Sequence, residues 1–346
     1  MSANVELMRQ AASLHAARNP AAAARLYEKA LASDPDDADA LHLLGVARGQ
    51  TGDAAAAAAL IGKAIELQDD VAVFHLNLAR AFSRLGDTAG MVVALRRAMA
   101  LDDKDDTARL LLSQYLMPGS GYIEILQKLH DWLRPASYLE IGVESGRSLA
   151  LALPPTRAIG IDPAPRVGVK FNAETQIFRL TSDEFFARHD LAKEFGRPTV
   201  DLAFIDGLHL FEQTLRDFIN LERFAGSRSV ILVHDCLPLD EVSAARDQRG
   251  RFWTGDVWKL VPALKHWRPD LAIRTIATRP SGLAMIMGLD ATSRVLPENF
   301  ASIVAQFLAA PVPIEPTEQI VQLARVDNDL TEIEGYLRSR GYGAAP

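Results

Sequence analysis

Tyr138-Leu139-Glu140-Ile141-Gly142-Val143-Glu144-Ser145-Gly146-Arg147-Ser148 is the stretch on which the reading of this chain turns. An apolar run ends in a carboxylate, two glycines follow four residues apart, and an Ala/Leu-rich run begins at once. That order predicts a strand, a tight glycine turn and the N-terminus of a helix, a construction that lets a nucleotide-like ligand lie against bare backbone. A second apolar run, Ala158-Ile159-Gly160-Ile161, stops at Asp162. Two strands that each end in an acid, with a helix between them, make the first half of a nucleotide-binding α/β sheet.

The alternation continues downstream. Residues 176–180 predict a strand ending at Thr181-Ser182-Asp183, with a helix over 183–194. Residues 200–205 predict a strand ending at Asp206-Gly207-Leu208-His209, with a helix over 212–224. Residues 230–233 predict the next strand, which ends at His234-Asp235. After a longer insertion, 271–278 and 282–289 are β-rich runs separated by Arg279-Pro280-Ser281. Five strand–helix units closed by a hairpin define an α/β fold, a Rossmann-like doubly wound sheet with an antiparallel last strand.

Upstream the pattern is different. Residues 1–117 are Ala/Leu-rich and helical in pattern, with breaks at Gly52-Asp53 and Gly86-Asp87. Ala30, Ala64 and Ala98 recur 34 residues apart, and Tyr27, Ile61 and Leu95 keep the same spacing. Small residues stand at Ala11, Gly45 and Ala79, where one helix must approach the next closely. This segment resembles three tetratricopeptide repeats, with a capping helix over 106–116. The resemblance implies an all-α repeat domain whose concave face docks a protein partner. Dimerisation, giving a homo-oligomer, is the plainer use of the same surface. The acid-rich runs at 34–39 and 102–106 lack the central glycine and terminal glutamate of a calcium loop, and read as solvated turns. Residues 118–122 form a linker, 122–133 an amphipathic helix, 123–290 the sheet domain, and 291–346 a helical C-terminal extension.

Composition narrows the classes. Of 346 residues 49% are hydrophobic, enough for two cores. The formal net charge is −7, and no basic block or aromatic-interleaved Lys/Arg stripe occurs, which argues against nucleic acid as a partner. The single cysteine, Cys236, excludes an intramolecular disulfide. No basic segment with an apolar core opens the chain, and no apolar run is long enough for membrane insertion, so the expectation is a cytoplasmic protein.

Taken together, Glu-Ile-Gly-x-x-x-Gly at 140–146, Ile-Asp-Gly-x-His at 205–209 and acids at successive strand ends resemble the class I S-adenosylmethionine-dependent methyltransferases. The small-molecule and sugar O-methyltransferase branch is the most similar. That resemblance implies S-adenosyl-L-methionine as cofactor. Glu140 would lie near its amino group, Gly142 and Gly146 would admit its backbone approach, and Asp162 would accept both ribose hydroxyls. Ser182 and Asp183 would contact adenine, and Asp206 would complete the cofactor set. Glu144 departs from the glycine common at its position.

Methyl transfer from a sulfonium is an in-line displacement, so alignment supplies much of the rate. An alcohol or sugar hydroxyl stays protonated at neutral pH and needs a base, a metal or both. By the resemblance, Asp206 and Asp235 would hold a divalent cation such as magnesium, and His209 or His234 would take the proton. In the alternative, both histidines bond loop carbonyls and no metal is used.

The insertion carries Arg251-Phe252-Trp253-Thr254-Gly255-Asp256-Val257-Trp258-Lys259. Aromatic faces with charged tips there suit a grip on a polar ring, with Trp253, Asp256 and Lys259 binding the small-molecule or sugar acceptor and Trp258 packing the next helix. The C-terminal extension shows helical patterns over 298–309 and 317–340, then a loose tail at 341–346. Two other function classes remain: a non-catalytic cofactor-binding repeat scaffold, and an NAD-dependent oxidoreductase. The second would use Asp162 equally well, but the turn lacks the Gly-x-Gly-x-x-Gly spacing and leaves the later acids without a job.

Overall fold

The computed structural model describes residues 3–342, so the expected tail lies outside the described residues from 343 on. The chain divides into two units, Met1–Leu112 and Ser113–Pro346, a few residues before the break expected at 117.

In the first unit the 34-residue period becomes pairs of short helices. These are α1 (Ala3–Ala16) with α2 (Pro20–Ser33), α3 (Ala38–Gln50) with α4 (Ala54–Leu67), and α5 (Ala72–Leu85) with α6 (Thr88–Leu101). The division between units falls inside α7 (Thr107–Leu116). Asn19, Asp53 and Asp87 each accept from a backbone N–H of the helix that follows. Such caps contribute about 1 kcal/mol each and stop one helix running into the next. Asp37 caps α3, and Asp102 accepts from Lys104 N–H and Asp105 N–H, so both acid-rich runs are turns. Tyr27, Ile61 and Leu95, at equivalent places in the period, are all buried.

The second unit opens with α8 (Tyr122–Leu133), followed by β1 (Ser137–Ile141), β2 (Arg157–Ile161) and β3 (Glu174–Phe178). Next come α9 (Ser182–Arg188), α10 (Leu191–Phe195), β4 (Val200–Ile205), α11 (Phe211–Glu222) and β5 (Ala225–His234). After the insertion stand α12 (Leu260–Trp267), β6 (Ala272–Ile276) and β7 (Leu283–Met287). The chain ends with α13 (Val295–Glu298), α14 (Phe300–Leu308), α15 (Pro316–Gln322), β8 (Arg325–Val326) and α16 (Leu330–Ser339). The sheet order is β3-β2-β1-β4-β5-β7-β6-β8, parallel except for β7, which runs antiparallel to both neighbours. The strands are apolar on both faces because both faces are covered. Leu139, Ile159, Ala203 and Ile231 join α11 and α12 in one core, while Tyr138, Ala158, Leu202 and Val230 join α8 and α16 in the other.

Three expectations change. The helix awaited after Gly146 is a single tight turn at Leu149–Leu151, because Pro154-Pro155 follows too closely for a helix to propagate. The helix over 183–194 is split in two, with Asp190 capping α10 through Ala192 N–H. The helix over 317–340 is interrupted by β8. The free edge of β6 captures that segment, Thr275 N–H and Ala277 N–H donating to the carbonyls of Ala324 and Val326. The C-terminal extension is therefore part of the sheet. No helix among the described residues is long and apolar enough to cross a membrane.

Candidate functional site

Register builds the site. Ile141 pairs with Ile161 and with Ile205, and Ile205 pairs with Val233. The next residue of each strand therefore lies along one line at the carboxyl edge: Gly142, Asp162, Asp206 and His234. Gly142 N–H donates to Ile161 O, Asp206 N–H to Ile141 O and Asp162 N–H to Phe178 O, which carries the ladder one step past the strands. A Cβ on Gly142 would sit 2.0 Å from the carbonyl oxygen of Asp206, and its φ is +87°, so only glycine lets the two strand ends close up. The close approach it permits is to protein backbone. Glu144, also expected as a departure, takes a left-handed φ of +45° and is exposed.

The glycine turn and Asp162 are locked together. Asp162 Oδ2 accepts from Val143 N–H at 2.9 Å and Glu144 N–H at 2.8 Å, and Oδ1 accepts from Ala164 N–H at 2.7 Å. Oδ2 is thereby filled, and Oδ1 keeps acceptor capacity for one further donor. Gly146 ends the turn against Phe171 and Val167. Glu140 stands elsewhere than expected. It is completely buried, accepting from Tyr138 Oη at 2.7 Å and Ser148 Oγ at 2.8 Å, so its carboxyl braces the turn from behind. Burial pushes that carboxyl up to about 8. At the third strand end Thr181, with Glu184 in a capping box, caps α9. Ser182 accepts from Gln213 Nε2, while the half-exposed Asp183 pairs with Arg216 at 2.9 Å. Beside them Asp217, buried on α11, is raised by burial to about 7.

The fourth and fifth strand ends converge. Asp206, His209 and Asp235 offer one ligand atom each, all within 4.8 Å of one another. His209 Nε2 lies 3.1 Å from Asp235 Oδ2 and 3.8 Å from Asp206 Oδ1. Its Nδ1 is 2.8 Å from the carbonyl of Trp253, to which it can only donate. With Nδ1 engaged there, Nε2 is the ring atom turned toward the two carboxylates. A Cβ on Gly255, whose φ is +56°, would fall 1.8 Å from the His209 carbonyl oxygen, so the insertion presses directly on this loop. His234 Nδ1 is 3.1 Å from Asp206 and 3.5 Å from Asp235, while its buried Nε2 has no partner among the described residues. Burial opposes a charge on His234, but Asp235 and Asp206 outweigh it and hold the ring well above its ordinary range. Burial likewise pushes Asp235 up, and His234 and His209 outweigh that and hold it well below.

Among the three insertion residues expected to bind an acceptor, Trp253 stands at the site, its ring 4.9 Å from His209 and its indole N–H donating to Ala245 O. Asp256 and Lys259 do not. Asp256 is buried, accepting from Phe211 N–H at 2.7 Å and pairing with Arg246 and Lys259, and Lys259 Nζ also donates to Leu308 O. Their charges are satisfied inside the fold, which corrects the substrate-binding expectation for both. Trp258 packs in the core, as expected. Two contributors were missed. The ring of Tyr122, first residue of α8, lies 4.2 Å from that of His234, and Ser281 Oγ donates to Asp235 Oδ1. Tyr122 follows a Gly-Ser-Gly linker and Ser281 sits in a hairpin turn, so neither position carries a local signal.

Comparison with known proteins places both halves. Residues 139–236, from β1 to just past β5, match the family model described as a methyltransferase domain, and residues 26–59 match a tetratricopeptide repeat model. The chain thus joins tetratricopeptide repeats to a methyltransferase domain with a Rossmann-like sheet. A curated relative, the cellulose synthase 2 operon protein C of Komagataeibacter xylinus, is 30% identical over 163 residues, 46% of this chain. The chain spans 12% of that relative's length. Among solved structures, MamA is 24% identical over 30% of this chain and 60% of its own, with a TM-score of 0.29. The Sgt2 tetratricopeptide repeat domain from Aspergillus fumigatus is 17% identical over 33% and 82%, with a TM-score of 0.30.

Proposed function

We propose that the protein is an S-adenosylmethionine-dependent O-methyltransferase acting on a hydroxylated small molecule or sugar unit, with the repeat unit docking a protein partner. The observation that carries this reading is the convergence of Asp206, His209 and Asp235 within 4.8 Å, beside a glycine turn braced by Asp162. S-adenosylmethionine supplies a sulfonium methyl group that an oxygen nucleophile can displace in line. Asp162, whose Oδ1 keeps acceptor capacity, would take a ribose hydroxyl, and Ser182 and Asp183 would border the adenine.

The donor set suits a divalent cation. Two carboxylates and one imidazole are a mixed O/N set that magnesium or manganese accepts, and a ligating histidine commonly donates its other N–H to a backbone carbonyl, as His209 does to Trp253. A cation held there would lower the pKa of the acceptor hydroxyl and draw off the negative charge that keeps His234 protonated. His234 Nε2, the buried atom without a partner, would then receive the hydroxyl proton. Tyr122 and Trp253 fix the two imidazole planes and limit water at the site.

The test incubates the full chain with methyl-labelled cofactor and fractionated cell extract, beside thermal shifts with S-adenosylhomocysteine and NAD. Stabilisation by S-adenosylhomocysteine alone, and label transfer that chelation abolishes and manganese restores, are the expected results. Binding without transfer to any fraction would make the sheet a cofactor-binding scaffold. Stabilisation by NAD alone would overturn the assignment.

A further inference from the structure

A cavity lies at the other end of the strands. Pro135 precedes β1 and Thr156 precedes β2, and both line a cavity of about 500 Å³ with Leu151, Leu153, Pro154 and Pro155 on one wall. The opposite wall is the C-terminal half of α8: Gln127, His130, Asp131 and Arg134. Five-residue strands separate this cavity from the Asp206 cluster by roughly 15 Å. The volume falls in the range of small-ligand sites, about 300–1,000 Å³.

Two features of the polar wall are unsatisfied. His130 is only 6% exposed, yet its Nε2 has no hydrogen-bond partner among the described residues. The ring is fixed by an edge-on contact with Tyr138, centroids 4.6 Å apart, and burial holds it neutral, at about 4. Asp131 and Arg134, three residues apart on the cavity lip, carry opposite charges and form no ion pair with each other. Asp131 accepts from Gln127 Nε2 at 3.2 Å, and the Arg134 guanidinium stands open beside it.

An anion alone would meet Asp131 and the negative end of α8, and a cation alone would meet Arg134. A ligand bearing both charges satisfies both. We propose that this cavity binds a free α-amino acid with an apolar side chain. Its carboxylate would pair with Arg134 and its ammonium with Asp131, beside the buried His130 ring. The side chain would lie on the Leu/Pro wall. The cavity is then an effector site, separate from the strand-end cluster and independent of the chemistry proposed there.

The test titrates L-leucine, L-phenylalanine and L-proline in turn into the full chain carrying isotope-labelled histidine, with the His130 signal assigned by His130→Gln. At least one amino acid should shift the His130 signal saturably and leave those of His209 and His234 in place. Isocaproate and isoamylamine, which are leucine without its amine and without its carboxylate, should bind about tenfold more weakly or worse. Arg134→Gln and Asp131→Asn, both exposed positions, should weaken binding by a similar factor in a folded protein. No saturable shift with any of the three, unchanged affinity in both variants, or equal binding of a truncated compound would overturn the proposal.

Discussion

Two groups of charged side chains in the sheet unit look alike in sequence and differ in what surrounds them. Asp256, Lys259, Arg246 and Glu212 hold two acids and two bases, each base bonded to a carboxylate, with Asp256 also taking the Phe211 N–H. Asp206, His209, His234 and Asp235 also hold two acids and two bases. There two carboxylates and an imidazole turn their ligand atoms toward one another, and one buried nitrogen, His234 Nε2, has no partner among the described residues. The first group is closed and the second is open. Closure marks a part of the scaffold, and a convergent set with unfilled atoms marks a place for a ligand.

Substitutions should separate the two groups by what they damage. Asp256→Ala leaves Lys259 charged and buried without its carboxylate and removes the α11 cap. The expected loss is about 3–5 kcal/mol of unfolding free energy in a urea titration. Asp235→Asn should cost less, because the isosteric amide can keep the Ser281 bond and His234 can release its proton, while manganese affinity and methyl transfer fall roughly 100-fold. Equal destabilisation by both would erase the distinction, and so would full activity in Asp235→Asn.

A milder effect tests the brace behind the turn. Glu140 keeps its proton to about 8 in the folded protein against an ordinary 4.5, so the folded state binds more protons in between. Stability must therefore fall as pH rises through that window. Asp217 has the same sign between 3.8 and about 7, and His234, held above its ordinary range, has it from 6.5 upward, so over pH 7 to 8 the Glu140 share is read as the difference between the parent and Glu140→Gln. Across pH 7 to 8 Glu140→Gln should lose about 1 kcal/mol less than the parent. An unchanged slope in the variant would remove Glu140 as the cause.

Residues whose environment comes from their own strand were legible, and those defined by distant neighbours were not. The bounds of β4 and α8 follow from apolar runs, and the repeat helices from a fixed period. The strand-end acids followed from alternation alone, because a parallel sheet brings successive strand ends to one edge. Asp256 and Lys259 misled because an acid and a base beside two tryptophans look the same whether they face a ligand or a buried arginine. Glu140 misled for a related reason: alternation places it on the Tyr138 face of β1, toward the core under α8. The two residues of β8 carry no periodicity and form a strand only because β6 has an unpaired edge.

Asp183 gives the smallest effect and the finest division between the groups. Its carboxylate accepts from Arg216 at 2.9 Å and Gln213 at 3.2 Å, and both ion-pair partners are well exposed. An exposed pair contributes little, so Asp183→Ala should change unfolding free energy by no more than about 0.5 kcal/mol. The capping of α9 by Thr181 and Glu184 is untouched by this change. If Asp183 borders the adenine, S-adenosylhomocysteine affinity should still fall several-fold in calorimetry, with no change in the midpoint. A stability loss above 1 kcal/mol with unaltered cofactor affinity would put Asp183 among the closed pairs, and the adenine end of the site would have to be sought at Ser182 and Gln213 alone.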